Sequence, residues 1–262
     1  MKPITAHIIT LNEEHNIAEC IENLNQLCDE VLVIDSGSSD KTVEIAENLG
    51  AIVIHQGYLG DGKQKNVAVD KAKNKWILSI DADERLTADA IKRIEKLDLD
   101  ISPYDGYALK RRNFIGSRWI KSCGWYPDYL TRLYNKDRTK YSEVEAHSRI
   151  EAENVNRLNC DIIHYSYNHC GELFSKADKF SSRSAKMIYR RGRRANAWAP
   201  FLHGLGAFFK KYILQRGFLG GVDGMTVALS AFISSYLKYA RLIEFQKDKK
   251  VQAKDLEDKQ VW

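Results

Sequence analysis

The chain has 262 residues, of which 44% are hydrophobic and 29% are charged, with a formal net charge of +5. This length and composition provide a sizeable core and exclude a disordered or low-complexity protein. The net charge is too small to indicate a partner by itself, and the five cysteines lack the number and spacing of a disulfide framework.

The first hundred residues alternate between strand and helix patterns. Four short apolar runs predict buried strands, at 4–10, 31–34, 52–54 and 76–80. Apolar residues at helical spacing predict helices between them, and Thr87 is the predicted N-cap of a further helix over 88–97. Continuously apolar strands that alternate with helices predict a mostly parallel, Rossmann-like α/β sheet covered on both faces.

The pattern changes after residue 102. Three more strands are predicted, at 107–112, 129–134 and 162–167, and the chain from about residue 172 is helical, basic and aromatic in pattern. We therefore expect a first domain over residues 1–170 and a mostly helical C-terminal region over residues 171–262.

Two carboxylates follow the strand at 76–80, at Asp81 and Asp83. Ligands of parallel sheets bind beyond the carboxyl ends of the strands, and paired carboxylates there suit a hard cation such as Mg²⁺ or Mn²⁺. Such a cation neutralises the charge that develops on a leaving diphosphate. The alternative is a solvated acidic loop.

The loop over 35–42 follows the strand at 31–34 and is rich in small residues. Small residues let a ligand approach the backbone, and Asp35 at the strand end is placed to accept a hydrogen bond from a base or ribose. The alternative is a simple turn with Asp40 as a helix cap. The first strand is followed by 10–14, Thr-Leu-Asn-Glu-Glu, so this is not a dinucleotide-binding fingerprint.

These segments resemble family 2 glycosyltransferases in their order and spacing. The resemblance is carried by Thr10-Leu11-Asn12-Glu13, by the loop 35–42, by Lys65-Asn66 with Ala68, and by residues 76–84. Looser similarity continues through Gly124–Asp128 with Arg132–Tyr134, through His164–Tyr167, and through 217–224. The chain looks especially like the lipopolysaccharide or lipooligosaccharide core glucosyltransferases.

This resemblance implies a GT-A fold and a metal-dependent hexosyltransferase that uses a UDP-sugar. It implies that Thr10, Glu13 and Asp35 hold the uridine and that Lys65 lies near the nucleotide. It further implies that Asp81 contacts ribose or sugar, and that Asp83 ligates the Mg²⁺ or Mn²⁺ ion. His164 matches a late histidine that approaches the metal or diphosphate, although a packed histidine at a strand end explains it equally well.

The catalytic base is open at this point. Related sequences often carry His-Glu after the later strand pair, whereas this chain has His147 followed by Ser148. The remaining candidates are Asp128, Glu143 and Glu145, with His147 itself as a fourth. A base must reach the acceptor hydroxyl within hydrogen-bonding distance.

The C-terminal region joins a basic run, Arg190–Arg194, to an aromatic stretch over 198–212. This combination favours an anionic membrane surface over nucleic acid, and we expect no nucleic acid partner. The low-charge run over 217–237 is interrupted by Asp223 and several glycines, which predicts a poor membrane-spanning helix. Because no signal peptide pattern opens the chain, we expect a cytoplasmic protein peripherally bound to the inner membrane.

The sequence therefore predicts an inverting glycosyltransferase that moves a hexose, with glucose favoured, from a UDP-sugar to a lipid-linked glycan such as the lipopolysaccharide core. Two alternatives remain, a nucleotidyltransferase of similar α/β build and a non-enzymatic module that binds anionic lipid. The nucleotidyltransferase is disfavoured because residues 10–14 are acidic and lack a glycine-rich triphosphate loop.

Overall fold

The computed structural model describes residues 1–143 and 148–247, which form two compact units. The first unit comprises residues 1–112 and 127–165, and the second comprises residues 113–126 and those from 166 onward. Two of the candidate bases, Glu145 and His147, lie outside the described residues.

The first unit is built on four parallel strands in the spatial order β3-β2-β1-β4. Their bounds are β1 (Lys2–Thr10), β2 (Cys28–Asp35), β3 (Ile52–His55) and β4 (Trp76–Ser79). Both faces of β1 are buried, since Ile4 and Ala6 on one face and Thr5 and His7 on the other are at most 1% exposed. This double burial explains the apolar runs without alternation and confirms the predicted parallel sheet.

Four helices belong to the same unit, α1 (Ile17–Asn25), α2 (Thr42–Asn48), α3 (Asp61–Lys71) and α4 (Ala88–Glu95). Helix α1 buries the stripe Ile17, Cys20 and Leu24 against the sheet, as its spacing predicts. The Thr87 hydroxyl accepts a hydrogen bond from the backbone N of Ala90 at 3.2 Å, which confirms the predicted N-cap of α4.

Five further strands extend the sheet, β5 (Glu84–Leu86), β6 (Gly106–Ile115), β7 (Arg118–Trp119), β8 (Asp128–Asn135) and β9 (Val155–Tyr167). The order continues β4-β8-β6-β9-β5, with β7 beside β6, and β8 runs antiparallel to both β4 and β6. Strand β5 is not among the strands predicted from the sequence. It has three residues and pairs antiparallel with β9, so no local pattern marks it.

The second unit is mostly helical, as predicted, with α5 (Cys170–Arg190), α6 (Ala199–Phe209) and α7 (Gly221–Lys247). A π-helical turn at Lys210–Leu214 and a 3-10 turn at Gly217–Gly220 lie between α6 and α7. Helix α7 packs against α5 and α6.

The segment Gly217–Lys247 is, by its length and composition alone, long and apolar enough to cross a membrane. This differs from the expectation of a poor spanning helix, because Asp223 and the glycines interrupt only its first turns. In its most apolar window of 18 residues, 28% is buried within the protein.

Candidate active site

Two loops leave the neighbouring strands β1 and β2 at the same edge of the sheet, and hydrogen bonds tie them together. The backbone N of Asn12 donates to Ser38 Oγ over 2.9 Å, and the backbone N of Glu13 donates to Thr42 Oγ1 over 2.8 Å. Asn12 adopts a left-handed conformation with φ of 56°. The structure thus brings Glu13 and the loop 35–42 into one site.

Asp35 ends β2 and is only 1% exposed. Its carboxylate accepts hydrogen bonds from Thr10 Oγ1 at 3.3 Å, from the backbone N of Gly37 at 2.9 Å and from the backbone N of Ser38 at 3.0 Å. Burial alone would raise the pKa of Asp35, but the hydrogen bonds from Ser38, Gly37 and Thr10 outweigh it and lower the pKa. The carboxylate is therefore ionised, and it shapes its own loop.

Asp81 follows β4 and contacts two buried cations. Its Oδ1 lies 3.1 Å from Lys65 Nζ of α3, and its Oδ2 accepts a hydrogen bond of 2.9 Å from Arg132 Nη2 of β8. The side chains of Lys65 and Arg132 are 8% and 5% exposed. Burial alone would raise the pKa of Asp81, but Lys65 and Arg132 bring it well below its ordinary value. Asp81 is thus held in place as an anion.

Arg132 is the site residue to which the sequence assigned no role. In the antiparallel pair of β4 and β8, Leu133 lies opposite Leu78, so Arg132 is one step nearer the carboxyl end of β4. Arg132 also donates to Glu84, which has no exposed surface and whose Oε2 accepts a hydrogen bond from the backbone N of Asp81. The sequence signals are its place in the segment Arg132–Tyr134, which resembles the family, and its position as a cation beside Leu133.

Asp128 begins β8 and is bound by Arg111 of β6. The Arg111 Nε and Nη2 atoms lie 3.1 and 2.9 Å from one carboxylate oxygen of Asp128. Arg111 Nη1 also lies 3.7 Å from Glu84 Oε1. A chain of charged groups therefore leads from Asp81 through Arg132, Glu84 and Arg111 to Asp128. Glu143 differs: its side chain is 56% exposed and pairs with Lys140 at 3.8 Å.

The structure brings Asp83 and His164 together, because Glu84 of β5 lies opposite His164 of β9. His164 Nε2 is 3.2 Å from Asp83 Oδ2. Two donors at adjacent positions of an octahedral cation, each at about 2.1 Å, lie about 3 Å apart. The side chains of Asp83 and His164 are therefore close enough to share one cation. Within residues 1–143 and 148–247, no group of three or more His, Cys, Asp and Glu side chains is placed to hold a metal ion.

His7 of β1 is a buried histidine behind this cluster. Its ring lies edge-on to Tyr141, whose hydroxyl donates to Ser79 Oγ over 2.8 Å and whose ring lies 5.2 Å from Lys65 Nζ. Among the described residues, neither ring nitrogen of His7 has a hydrogen-bond partner. Burial, reinforced by Lys65, lowers the pKa of His7 from 6.5 to about 3, so this histidine is neutral.

The parallel strands β1 and β2 are followed by two hydrogen-bonded loops, β4 is followed by an acidic segment, and antiparallel strands complete the sheet. This is the GT-A fold, and the protein is a glycosyltransferase of that class. The chain belongs to glycosyl transferase family 2, whose family model matches residues 5–218. Because the chain belongs to this family, the two alternatives left by the sequence, a nucleotidyltransferase and a non-enzymatic lipid-binding module, are excluded.

Two relatives are similar to this chain over nearly their whole length. The chain is 33% identical to an uncharacterized glycosyltransferase of Rickettsia felis over 256 residues, which cover 93% of this chain and 90% of the relative. It is 26% identical to the lipopolysaccharide core biosynthesis glycosyltransferase LpsC of Rhizobium meliloti, over 91% of this chain and 93% of LpsC. Among solved structures, S. aureus TarS 1–349 in complex with UDP-GlcNAc matches at 16% identity and a TM-score of 0.47, over 98% and 88% of the chains.

Proposed function

We propose that this enzyme transfers a hexose, with glucose favoured, from a UDP-sugar to a lipopolysaccharide core acceptor with inversion at the anomeric carbon. The observation that carries the proposal is the pairing of Asp81 with Lys65 and Arg132 beside the Asp83 and His164 pair. Buried cations and metal-binding donors at one sheet edge suit a diphosphate that gains charge as it leaves.

The nucleotide half of the donor is assigned to the loops after β1 and β2. The Asp35 carboxylate is fixed at the strand end, with Thr10 donating to it and Glu13 in the adjoining loop. A uracil presents an N–H donor and ribose presents hydroxyl groups, both of which hydrogen-bond well to an ionised carboxylate. Lys65 and Asp81 then lie toward the diphosphate and the sugar.

Divalent metal is proposed at Asp83 and His164. Their 3.2 Å separation supports the assignment of Asp83 and His164 as the side chains that would hold a shared cation. When bound, Mg²⁺ or Mn²⁺ supplies charge neutralisation to the departing UDP.

Transfer with inversion takes place in one displacement. The acceptor oxygen forms a bond to the anomeric carbon, the bond from that carbon to UDP breaks, and the acceptor proton passes to a base. Of the four candidates Asp128, Glu143, Glu145 and His147, we place Asp128 first. It is joined through Arg111 to Glu84, next to Asp81, whereas Glu143 is exposed with Lys140. A single displacement converts an α-linked donor into a β-linked product.

The acceptor assignment rests on the similarity to LpsC over most of both chains. A lipopolysaccharide core is anchored in a membrane, which gives the enzyme a reason to work at the inner membrane surface from the cytoplasm. We assign donor binding and catalysis to the first unit and the acceptor- or membrane-facing role to the second unit, which adds residues 113–126 and 166–170 to the C-terminal region expected over 171–262.

Exposed apolar side chains on α6 and the turns after it support this membrane role. These residues are Trp198, Phe201, Leu202, Leu205, Phe209, Ile213, Leu214, Phe218 and Leu219, each at least 41% exposed. Near them in sequence, the arginines of the run Arg190–Arg194 are all exposed. Apolar residues that enter the interface, combined with arginines that attract anionic headgroups, supply the two signals that stable peripheral binding requires.

A thermal-shift panel tests the donor assignment. UDP-glucose with Mn²⁺ should raise the melting temperature, because a ligand at a hundred times its Kd stabilises the native state by about 2.7 kcal/mol. UDP-galactose and UDP-GlcNAc should give smaller shifts, and GDP-glucose should give none. An equal shift with GDP-glucose, or none with any UDP-sugar, would contradict the proposal.

A further inference from the structure

The second unit contains an open cleft of about 620 Å³ between the segment after β7 and the turns that precede α7. Residues 119–126 form one wall, and residues 214–223 form the other. Small-molecule sites occupy about 300–1,000 Å³, so the cleft has room for more than one sugar ring. None of its lining residues was assigned a role from the sequence.

Two aromatic rings and a cation stand on the first wall. Trp119 and Tyr126 meet edge to face with their ring centroids 5.1 Å apart, and Lys121 Nζ lies 4.4 Å from the centre of the Trp119 ring. The C–H faces of pyranose rings pack against aromatic rings, whose faces are electron-rich. An ammonium group beside such a ring suits a sugar that carries a negative charge.

The charges of the cleft favour an anion. Lys121 and Arg216 line it and are exposed. The acidic lining residue Asp223 is already paired, because Arg118 Nε lies 3.0 and 2.9 Å from its two carboxylate oxygens. Since Arg118 balances Asp223, the other two cations leave the cleft with positive charge.

The backbone of the cleft is held in uncommon conformations. Among described residues other than glycine, three have a positive φ, and two of these, Cys123 at 59° and Arg216 at 54°, flank or line the cleft. Gly124 has a φ of 68°, and a Cβ there would lie 2.6 Å from the side-chain amide of Gln215. Such conformations cost free energy and concentrate at functional sites.

Gln215 adds an acceptor for a hydroxyl group. It lines the cleft, and its Oε1 atom is buried without a hydrogen-bond partner among the described residues. Buried polar atoms of native proteins are almost always satisfied, so a hydroxyl-bearing ligand offers the missing donor.

We propose that this cleft binds a phosphorylated saccharide, with the sugar against Trp119 and Tyr126 and the phosphate near Lys121 and Arg216. The inference rests on the proposed function, because the saccharide is the phosphorylated part of the acceptor glycan. The exposed Leu214 and Leu219 at the cleft lie on the apolar surface assigned to the membrane, as the binding of a membrane-anchored glycan requires.

Calorimetry without donor tests the cleft directly. The probes are a deacylated lipopolysaccharide core oligosaccharide that carries phosphate and the same oligosaccharide after dephosphorylation. The phosphorylated form should bind about tenfold more tightly, as expected for a charge-assisted contact. Lys121→Gln should remove that tenfold advantage and leave the affinity for the dephosphorylated form unchanged. Trp119→Leu should weaken both forms, with its melting temperature checked to establish folding.

The matched control is Lys179→Gln, since Lys179 is an exposed lysine of the same unit outside the cleft. It should bind both forms as the parent does. The proposal would be overturned if the phosphorylated oligosaccharide did not bind, or if the Lys121 and Lys179 variants lost the same affinity. It would also be overturned if the cleft bound inorganic phosphate or anionic vesicles instead of the oligosaccharide. The thermal shift with UDP-glucose tests donor binding separately, so a failure of the proposed function would appear there. Lys121→Gln should leave that shift unchanged.

Discussion

Replacing Arg132 by Met tests the buried cluster on which the proposed donor site depends. Arg132 is about 5% exposed and neutralises both Asp81 and Glu84, and Glu84 has no exposed surface. Removing one partner of a buried ion pair typically costs about 3–5 kcal/mol, because the remaining charge stays buried without compensation. For a chain of this size, each kcal/mol lowers the melting temperature by about 2–4 °C, so we expect a loss of about 6–20 °C.

A second substitution separates charge from packing. In Arg132→Met combined with Glu84→Gln, the buried carboxylate that has lost its nearest cation is also removed, and part of the lost melting temperature should return. The matched control is Arg93→Gln, which breaks the exposed pair of Arg93 with Asp89 and should change stability little. Calorimetry provides the melting temperatures. If Arg132→Met has the same melting temperature as Arg93→Gln, or if adding Glu84→Gln restores none of the lost melting temperature, the buried charges do not determine the stability of this site.

Four other predictions address the metal, the nucleotide, the buried histidine and the membrane. Asp83→Ala should abolish transfer with little loss of melting temperature, and added chelator should stop the parent until Mn²⁺ is restored; near-normal turnover by the variant removes Asp83 from the metal site. Asp35→Ala should weaken UDP binding by about 1.5–3 kcal/mol in calorimetry, more than Ser38→Ala, which keeps the carboxylate; equal affinity for UDP in the Asp35 variant and the parent counts against the assignment. Because the pKa of His7 falls from 6.5 to about 3 on folding, the unfolded state binds the proton more readily, and the free energy of unfolding should decrease as the pH falls from 6.5 to about 3. In chemical denaturation, His7→Phe should make this decrease smaller; an equal decrease in the variant and the parent would show that His7 does not cause it. Replacing the arginines of Arg190–Arg194 by Ser should reduce pelleting with anionic vesicles at low salt and spare turnover on a soluble acceptor; a parent that stays in the supernatant contradicts membrane binding.

The parallel half of the fold was predictable because its information is local. Each buried strand is a short apolar run, each helix repeats its apolar stripe, and Thr87 marks a helix start. Because parallel sheets bind their ligands beyond the carboxyl ends of the strands, the positions of Asp35, Asp81 and Asp83 after those ends identified them as candidate site residues.

The side chains that contact these aspartates were not predictable, because their positions depend on strand pairings between distant segments of the chain. Arg132 reaches Asp81 across 51 residues through the register of β8 on β4, and the Asp83 and His164 pair requires the three-residue strand β5 to find β9. The cleft at Trp119 likewise depends on the left-handed backbone conformation of Cys123 and Arg216. Residue types other than glycine, asparagine and aspartate rarely adopt this conformation, so the sequence did not predict it.

The most direct test of glycosyl transfer is the anomeric configuration of the product. The enzyme is incubated with UDP-glucose, Mn²⁺ and a soluble lipopolysaccharide core oligosaccharide, and the purified product is analysed by NMR. We expect release of UDP together with a new β-linked glucose, identified by the large coupling between its H1 and H2 protons. An α-linked glucose would contradict the single displacement, and release of pyrophosphate from UTP without any glycoside would contradict glycosyl transfer itself.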